Sequence, residues 1–450
     1  MSINRYLDGP FAPVTEEVTA FDLPSTGTVP RELAGRYLRI GPNPVRVHEP
    51  AAYQWTMGAG MVHGVRLRDG RAEWYRNRWV RSPSVSAQLG EEPKVVGGSP
   101  WGFAPNVQVV EHSGHTIALV EGGPPPYAMT YELDTVGESD LGRTPAGFCA
   151  NAHSKVDRST GELHSVAIQF GVEYVQHIVT DRGGVVRRAV DIPVPGNPNM
   201  HDFALTDNHV VLFDTPFVFS VERLGKGQVP VEWDHDRPTR VGVLPRTGAV
   251  PTWIETAPCE VSHVLNAYEM GAEIVIDLIV APAHADITDV FGVPRTLERW
   301  RVDTAAGIVH RTGIDDRPQD FPRMNGLREV RPHRYGYTAG TELYRGASVL
   351  AQRPEAAYRN ALLKHDLERG RTETHEFGAD AAVSEPVFVP CAAPKTEDDG
   401  YIMTFVHNPI RGAADLVILA AQDFDGEPVA RIHLPGRVPL GFHGNWIPDE

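Results

Sequence analysis

The sequence predicts an all-β protein folded as a seven-bladed β-propeller. Three observations point there. Short runs of alternating apolar and polar residues recur along the chain, separated by turns such as Asp69-Gly70, Asp181-Arg-Gly-Gly184 and Asp425-Gly426. Alternation is the mark of a half-buried strand, and Asp-Gly between two such runs is a strong short-range hairpin signal. Almost nothing reads as a long helix. The hairpins also continue for roughly 400 residues without a linker or a composition break, which suits a ring of repeated blades better than separate sandwiches.

Residues 1–36 read as an extended arm ending in Pro30-Arg-Glu-Leu-Ala-Gly35, and residues 1–450 as a single propeller domain. The rigid turn Arg39-Ile-Gly-Pro-Asn-Pro44 follows, combining fixed and relaxed φ angles. Met61 to Arg68 and Arg71 to Trp79 form the first predicted hairpin. The unit recurs as Asn106 to Glu111 with Thr116 to Val120, His153 to Val156 with Leu163 to Phe170, and Tyr174 to Thr180 with Val185 to Ile192. His201 to Thr206 turns at Asp207-Asn208 into Val210 to Asp214. Later strands are expected at Ile274 to Val280, Arg299 to Thr304, Tyr335 to Ala339, Tyr358 to Asp366, Tyr401 to His407, Leu416 to Asp423 and Pro428 to His433. Ser84 to Lys94 is ambiguous, and Arg353 to Asn360 suggests a helical turn.

Composition narrows the functional classes. The 42 basic and 58 acidic side chains give a formal charge of −16. No Lys/Arg run offers the basic face that nucleic acid requires, so no nucleic-acid partner is expected. Cys149, Cys259 and Cys391 are too far apart in sequence to suggest a zinc motif or a disulfide framework. No apolar stretch is long enough to span a bilayer, and the N-terminus has no apolar signal core. A cytoplasmic protein is expected.

Of 19 histidines, four share a context. His153, His201, His263 and His443 each begin or enter a predicted strand beside small, glycine or polar residues. Their separations are 48, 62 and 180 residues, the last about three times 60. Blades of about 60 residues would set all four at equivalent inner positions around one axis, and seven such blades use the chain. Four neutral imidazoles suit iron(II), nickel, copper or zinc. Asp202, beside His201, should face away from it on the same strand and support the loop.

These residues also carry a resemblance. Gly41-Pro-Asn-Pro44, Gly60-Met-Val-His-Gly64, Ala118-Leu-Val-Glu-Gly122, Ala152-His-Ser-Lys-Val-Asp157, His201-Asp-Phe203, His263-Val-Leu-Asn-Ala-Tyr-Glu269, Phe321-Pro-Arg323, Ser384-Glu-Pro-Val-Phe-Val-Pro390 and Phe442-His-Gly444 occur in order along nearly the whole chain. The set resembles the carotenoid cleavage oxygenase family, which also includes stilbene-cleaving dioxygenases and a retinoid isomerohydrolase. The resemblance implies a loop cap over an axial site and one Fe²⁺ per chain held by His153, His201, His263 and His443. It further implies supporting carboxylates at Glu121 and Glu385. Asp320 stands where the family usually has glutamate; being one methylene shorter, it should make a longer or shifted hydrogen bond to His263. Trp55 to Met61 lacks the aspartate common before Gly60. Val120 stands where stilbene-cleaving relatives carry a phenol-binding lysine, which favours an apolar polyene.

The activity expected from the resemblance is cleavage of a conjugated C=C bond of a carotenoid or apocarotenoid by O₂, giving two carbonyl products. Phe103, Val120, Tyr127, Phe170, Phe217 and Trp253 are candidates for lining the tunnel that would hold this lipophilic substrate. An apolar patch at the tunnel mouth would give peripheral membrane contact, with Trp300 and the Pro282 to Val293 segment as candidate contributors. Stilbene-type cleavage and isomerohydrolase chemistry are the alternatives within the family. A non-enzymatic interaction propeller is the alternative outside it.

Overall fold

The computed structural model describes residues 4–94, 105–282, 294–340, 361–378 and 381–449. Phe103, the 283–293 segment and Arg353 to Asn360 lie outside these residues. The described chain forms seven antiparallel sheets in a ring, as its hairpin repeats predict. Blade one combines Gly35–Pro42, Gly60–Arg68 and Arg71–Trp79 with Gly444–Pro448 on the inside and Thr19–Phe21 on the outside. Blade two holds Gln108–His112, His115–Leu119, Tyr127–Met129 and Thr135–Glu138. Blade three holds Lys155–Asp157, Glu162–Ala167, Tyr174–Thr180 and Val186–Pro193.

Blade four runs through Phe203–Leu205, His209–Asp214, Thr239–Pro245 and Thr252–Thr256. Blade five runs through Cys259–Met270, Glu273–Pro282, Thr296–Asp303 and Ile308–Asp315. Blade six holds Gln319–Arg323, Tyr335–Gly340, Ala361–Asp366 and Arg371–Glu376. Blade seven sets Ala382–Val383 and Val387–Pro390 against Gly400–Asn408, then adds Ala413–Ala420, Ala430–His433 and Ser25–Gly27. The ambiguous segment after Ser82 is a short helix, Pro83–Leu89. Ser82 caps its first turn and Gly90 ends it in the left-handed region. Within the expected arm, the strands Thr19–Phe21 and Ser25–Gly27 complete the outer edges of blades one and seven.

Apolar faces of neighbouring blades pack on each other and supply the core. Between blades four and five, Val211, Phe213 and Val241 meet Ile276, Leu278 and Trp300. Trp300 is fully buried there, with Phe213 edge-on to it and the Arg311 guanidinium over its ring. It therefore cannot form an apolar tunnel mouth. Trp253 lies on the outermost strand of blade four, three strands out from the inner one. At about 4.8 Å per strand step it stands far from the axis, and it packs on Gly242 and Arg240 instead. Tyr127 is buried between blades one and two among Leu38, Val62, Val109 and Ala118. Both serve blade packing, not the tunnel.

Inner strands run away from the end where the chain enters each blade, and the second strands return to it. That end therefore also receives the connections between second and third strands. In blade four this connection carries an inserted hairpin, Phe217–Phe219 against Val231–Trp233, with a short helix, Val221–Gly225, at its tip. All four candidate histidines lie near this same end.

Candidate metal centre

One polar side chain from each blade meets at the axis: His443, Glu121, His153, His201, His263, Asp320 and Glu385, in order from blade one to blade seven. Each stands where regular pairing fails. His153, His201 and His443 precede inner strands, and Glu121 follows a second strand. Glu385 fills the gap between the two inner segments of blade seven. At His263 the pairing of Cys259–Met270 slips between Val261 and Val264, and at Asp320 the register shifts before Arg323, with Phe321 at φ 55°. A regular strand sends its side chains to the two faces of the sheet. A bulge re-aims one of them toward the axis.

The donor nitrogens of His153, His263 and His443 lie within 4.8 Å of one another, as do the donor atoms of Glu121, His153 and His201. Ring centroids of contacting histidines are 4.3 to 5.2 Å apart. His201 Nε2 and His263 Nε2 face each other at 3.3 Å. Two imidazole nitrogens on one metal at about 2.0–2.1 Å would stand about 2.9–3.4 Å apart. His153 Nε2 is buried with no well-formed hydrogen bond, its nearest acceptor being Glu121 Oε1 at 3.3 Å, and a metal would satisfy it. The donor set fits a divalent transition metal.

The second ring nitrogens of three histidines are held by carboxylates. Glu121 Oε1 is 2.7 Å from His201 Nδ1 and 3.3 Å from His153 Nε2. Glu385 Oε1 is 2.9 Å from His443 Nδ1, and its Oε2 accepts from the Gly444 N–H at 2.7 Å. Asp320 Oδ1 is 2.6 Å from His263 Nδ1, so the bond is not lengthened as its shorter side chain suggested. The backbone beside Asp320 is bulged, with Phe321 at positive φ. Ser262 Oγ donates to its other oxygen at 2.9 Å, and the Phe321 N–H donates at 2.8 Å.

Burial alone would favour the uncharged state of every group here. It pushes His153 down to about 3, and it raises the cost of charge on His201 too. There the adjacent Glu121 carboxylate outweighs burial and pushes the imidazole up to about 9. Burial likewise opposes ionisation of Glu385, yet Arg323 and His443 hold it down at about 2. Asp320 is held low by His263 against the same opposition. Ionised carboxylates fix the ring orientations and raise the basicity of the nitrogens facing the axis.

One side of this cluster is open. A third of the His201 side chain and a quarter of the Glu121 side chain are accessible, although both lie deep among protein atoms. The accessible side of the cluster is therefore the one formed by His201 and Glu121. Val120 is half-buried against the apolar cluster that contains Val107, Leu119 and Ala152. Phe170 stacks face to face on Phe219 with centroids 4.0 Å apart. Its ring also lies against Gly122, next to Glu121. Phe217 is edge-on to Trp233 at 5.1 Å, so the candidates Phe170 and Phe217 both join the inserted hairpin. Sequence reasoning missed Phe219, Phe321 and Lys155. Phe321 lies 5.6 Å from His263 and 5.5 Å from His443, centroid to centroid, and its place in Phe-Pro-Arg was the available signal.

Comparison with known proteins decides the family. The family described as retinal pigment epithelial membrane protein matches residues 11–448. A carotenoid cleavage oxygenase of Mycobacterium tuberculosis is 41% identical over 499 aligned positions, covering 99% of this chain and 98% of that protein. The chain belongs to the carotenoid cleavage oxygenase family. An isoeugenol monooxygenase of Pseudomonas nitroreducens is 29% identical, with 98% of each chain covered. The crystal structure of a lignostilbene dioxygenase from Pseudomonas brassicacearum superposes with a TM-score of 0.86 at 25% identity, covering 99% of this chain and 98% of that one. This carotenoid cleavage oxygenase family member is a metal-dependent enzyme of the oxygenase type. No helix among its described residues is long and apolar enough to cross a membrane.

Proposed function

We propose that the protein is a non-haem iron(II) dioxygenase that cleaves a conjugated C=C bond of a carotenoid or apocarotenoid, consuming O₂ and releasing two carbonyl products. His153, His201, His263 and His443 are the proposed ligands. Glu121, Asp320 and Glu385 are the proposed supporting carboxylates. The observation that carries the reading is the convergence of four imidazoles from four blades, one of them, His201, partly accessible. Bound iron(II) would supply the centre at which dioxygen is activated.

The chain's own residues do the rest. The three carboxylates keep Nδ1 of His201, His263 and His443 engaged, so Nε2 of each is left for the metal. Phe321 covers His263 and His443, which keeps water from that side. The wall beyond Glu121, with Val120, Phe170 and the inserted Phe217–Phe219 hairpin, offers apolar and aromatic surface for a polyene. No general acid or base is needed to split an alkene with O₂. Support for a polyene over a phenol comes from Val120, which has no donor for a phenolate, and from the carotenoid cleavage oxygenase at 41% identity.

A phenylpropanoid alkene is the second reading, favoured by the fold match to a lignostilbene dioxygenase and the likeness to an isoeugenol monooxygenase. Mass spectrometry of products from apocarotenals, carotenoids, hydroxystilbenes and isoeugenol, with ¹⁸O₂, separates the two. Labelled aldehydes from the apocarotenal are expected. Turnover without O₂ would replace oxygenase chemistry by isomerohydrolase chemistry. A cytoplasmic setting is proposed on the free thiols of Cys149, Cys259 and Cys391, which form no disulfide.

A further inference from the structure

The side chain next to His201 is tied to the strands that carry two other histidines. Asp202 is 95% buried. Its Oδ1 accepts from the Phe203 N–H at 2.7 Å and lies 2.9 Å from Lys155 Nζ. Its Oδ2 accepts from the Val264 N–H at 2.8 Å. Lys155 is two residues past His153 on the inner strand of blade three, and Val264 directly follows His263 at the bulge in blade five. One carboxylate thus bridges the inner strands of blades three, four and five, each at a point adjacent to its histidine. Burial opposes its ionisation, but chiefly Lys155 keeps the carboxylate charged and its pKa down at about 2.

His443 is tied down differently. Arg323 donates to the Gly444 carbonyl at 3.2 Å and to Asn445 Oδ1 at 2.5 Å, and it lies 3.8 Å from Glu385 Oε1. The Asp202 bridge therefore serves three histidines and leaves the fourth to a separate device.

We infer that Asp202 and Lys155 are positioning residues that set the mutual spacing of His153, His201 and His263 for the metal. Neither is within hydrogen-bond reach of an imidazole nitrogen, so apart from the Asp202 charge, which the three histidines feel across space, they act through the backbone. The inference rests on the proposed metal centre. The Phe203 bond alone would be local loop support. The Lys155 and Val264 bonds cross two blade boundaries, at the places where a shift of the strands changes the distances between ligands.

Coulomb attraction and positioning predict opposite signs for one variant. Removing the Lys155 cation makes the site more negative, so simple electrostatics would tighten binding of a divalent ion. Loss of positioning would weaken it. The test titrates Co²⁺ into full-length, metal-free wild type, Asp202→Asn and Lys155→Met, reading affinity and the visible absorption band, with apoprotein thermal unfolding as a control.

We expect wild type to bind one Co²⁺. Asp202→Asn should weaken it about 10- to 100-fold and shift the band, and Lys155→Met should weaken it in the same direction with the fold retained. Lys155→Met that folds and binds Co²⁺ as tightly as wild type or tighter, with an unchanged band, overturns the inference. That variant decides the matter even where Asp202→Asn fails to fold. Wild type that takes up no Co²⁺ overturns the metal-centre reading itself, and the positioning role with it.

Discussion

The Asp320 carboxylate is enclosed by donors: His263 Nδ1, Ser262 Oγ and the Phe321 N–H all reach it. Truncation by Asp320→Ala removes the charged anchor of the His263 ring, leaving Ser262 Oγ at 3.1 Å from Nδ1, and is expected to cost about 10- to 100-fold in metal affinity, measured by titrating iron(II) or cobalt(II) into apoprotein. Gly122 is a second sensitive position. A Cβ there would stand 2.2 Å from the Phe170 ring, at a φ of +81°. Gly122→Ala is expected to destabilise the protein by about 1–3 kcal/mol, read by thermal or urea unfolding, and to displace Phe170 from its stack on Phe219. At this scale the histidines stood out by a shared sequence context, although His263 lies inside Cys259–Met270 at its bulge and not at a strand entry. The roles of Glu121, Asp320 and Glu385 came from ordered motifs. Trp253 and Trp300 were misassigned because an aromatic residue looks the same in sequence on an inner or outer strand.

Elements were legible in proportion to their length. Glu273–Pro282 and Gly400–Asn408 are long enough to show their pattern. Tyr127–Met129, Val231–Trp233 and Ala382–Val383 have too few residues for a period of two to emerge. The hairpin of blade four illustrates what a short strand lacks in itself. Its turn is held by Glu269 of blade five, which accepts from Thr206 Oγ1 at 2.6 Å, the Asn208 N–H at 3.0 Å and Asn208 Nδ2 at 2.7 Å, and lies 2.9 Å from His209 Nδ1. His209 thus belongs to this clamp. Burial opposes the Glu269 charge, but these bonds outweigh it and lower its pKa from 4.5 to about 2. A carboxylate whose folded pKa is depressed stabilises the fold fully above its unfolded pKa, and loses that contribution as pH falls through the folded one. Glu269→Gln is therefore expected to unfold at a lower temperature than wild type at pH 7, with the gap closing between about pH 4.5 and 2. Parallel melts across that range check it. A constant gap would remove the charge from the explanation.

Ring closure was the feature least legible in the sequence, because its partners lie at opposite ends of the chain. Length and hairpin repetition predict the blades, but no local signal says that Gly35–Pro42 pairs with Gly444–Pro448. The contact that closes the ring also holds His443. Ile40 donates its N–H to the His443 carbonyl at 3.1 Å and accepts from the Phe442 N–H at 3.1 Å. Beside it, Gly41 and Gly441 approach so closely that a Cβ on Gly41 would stand 2.6 Å from the Gly441 Cα. Backbone cannot yield there as a flexible side chain could. Gly41→Ala must part the two strands and carry His443 away from the other three histidines. We expect it to lower the melting temperature and weaken metal binding together. Gly313→Ala, whose Cβ would meet nothing within 4 Å on the outer strand of blade five, should change neither by more than about 0.5 kcal/mol. Thermal unfolding and metal titration of both variants test the coupling. A destabilised Gly41→Ala that still binds metal as wild type does would mean that Glu385 and Arg323 place His443 without the closure of the ring.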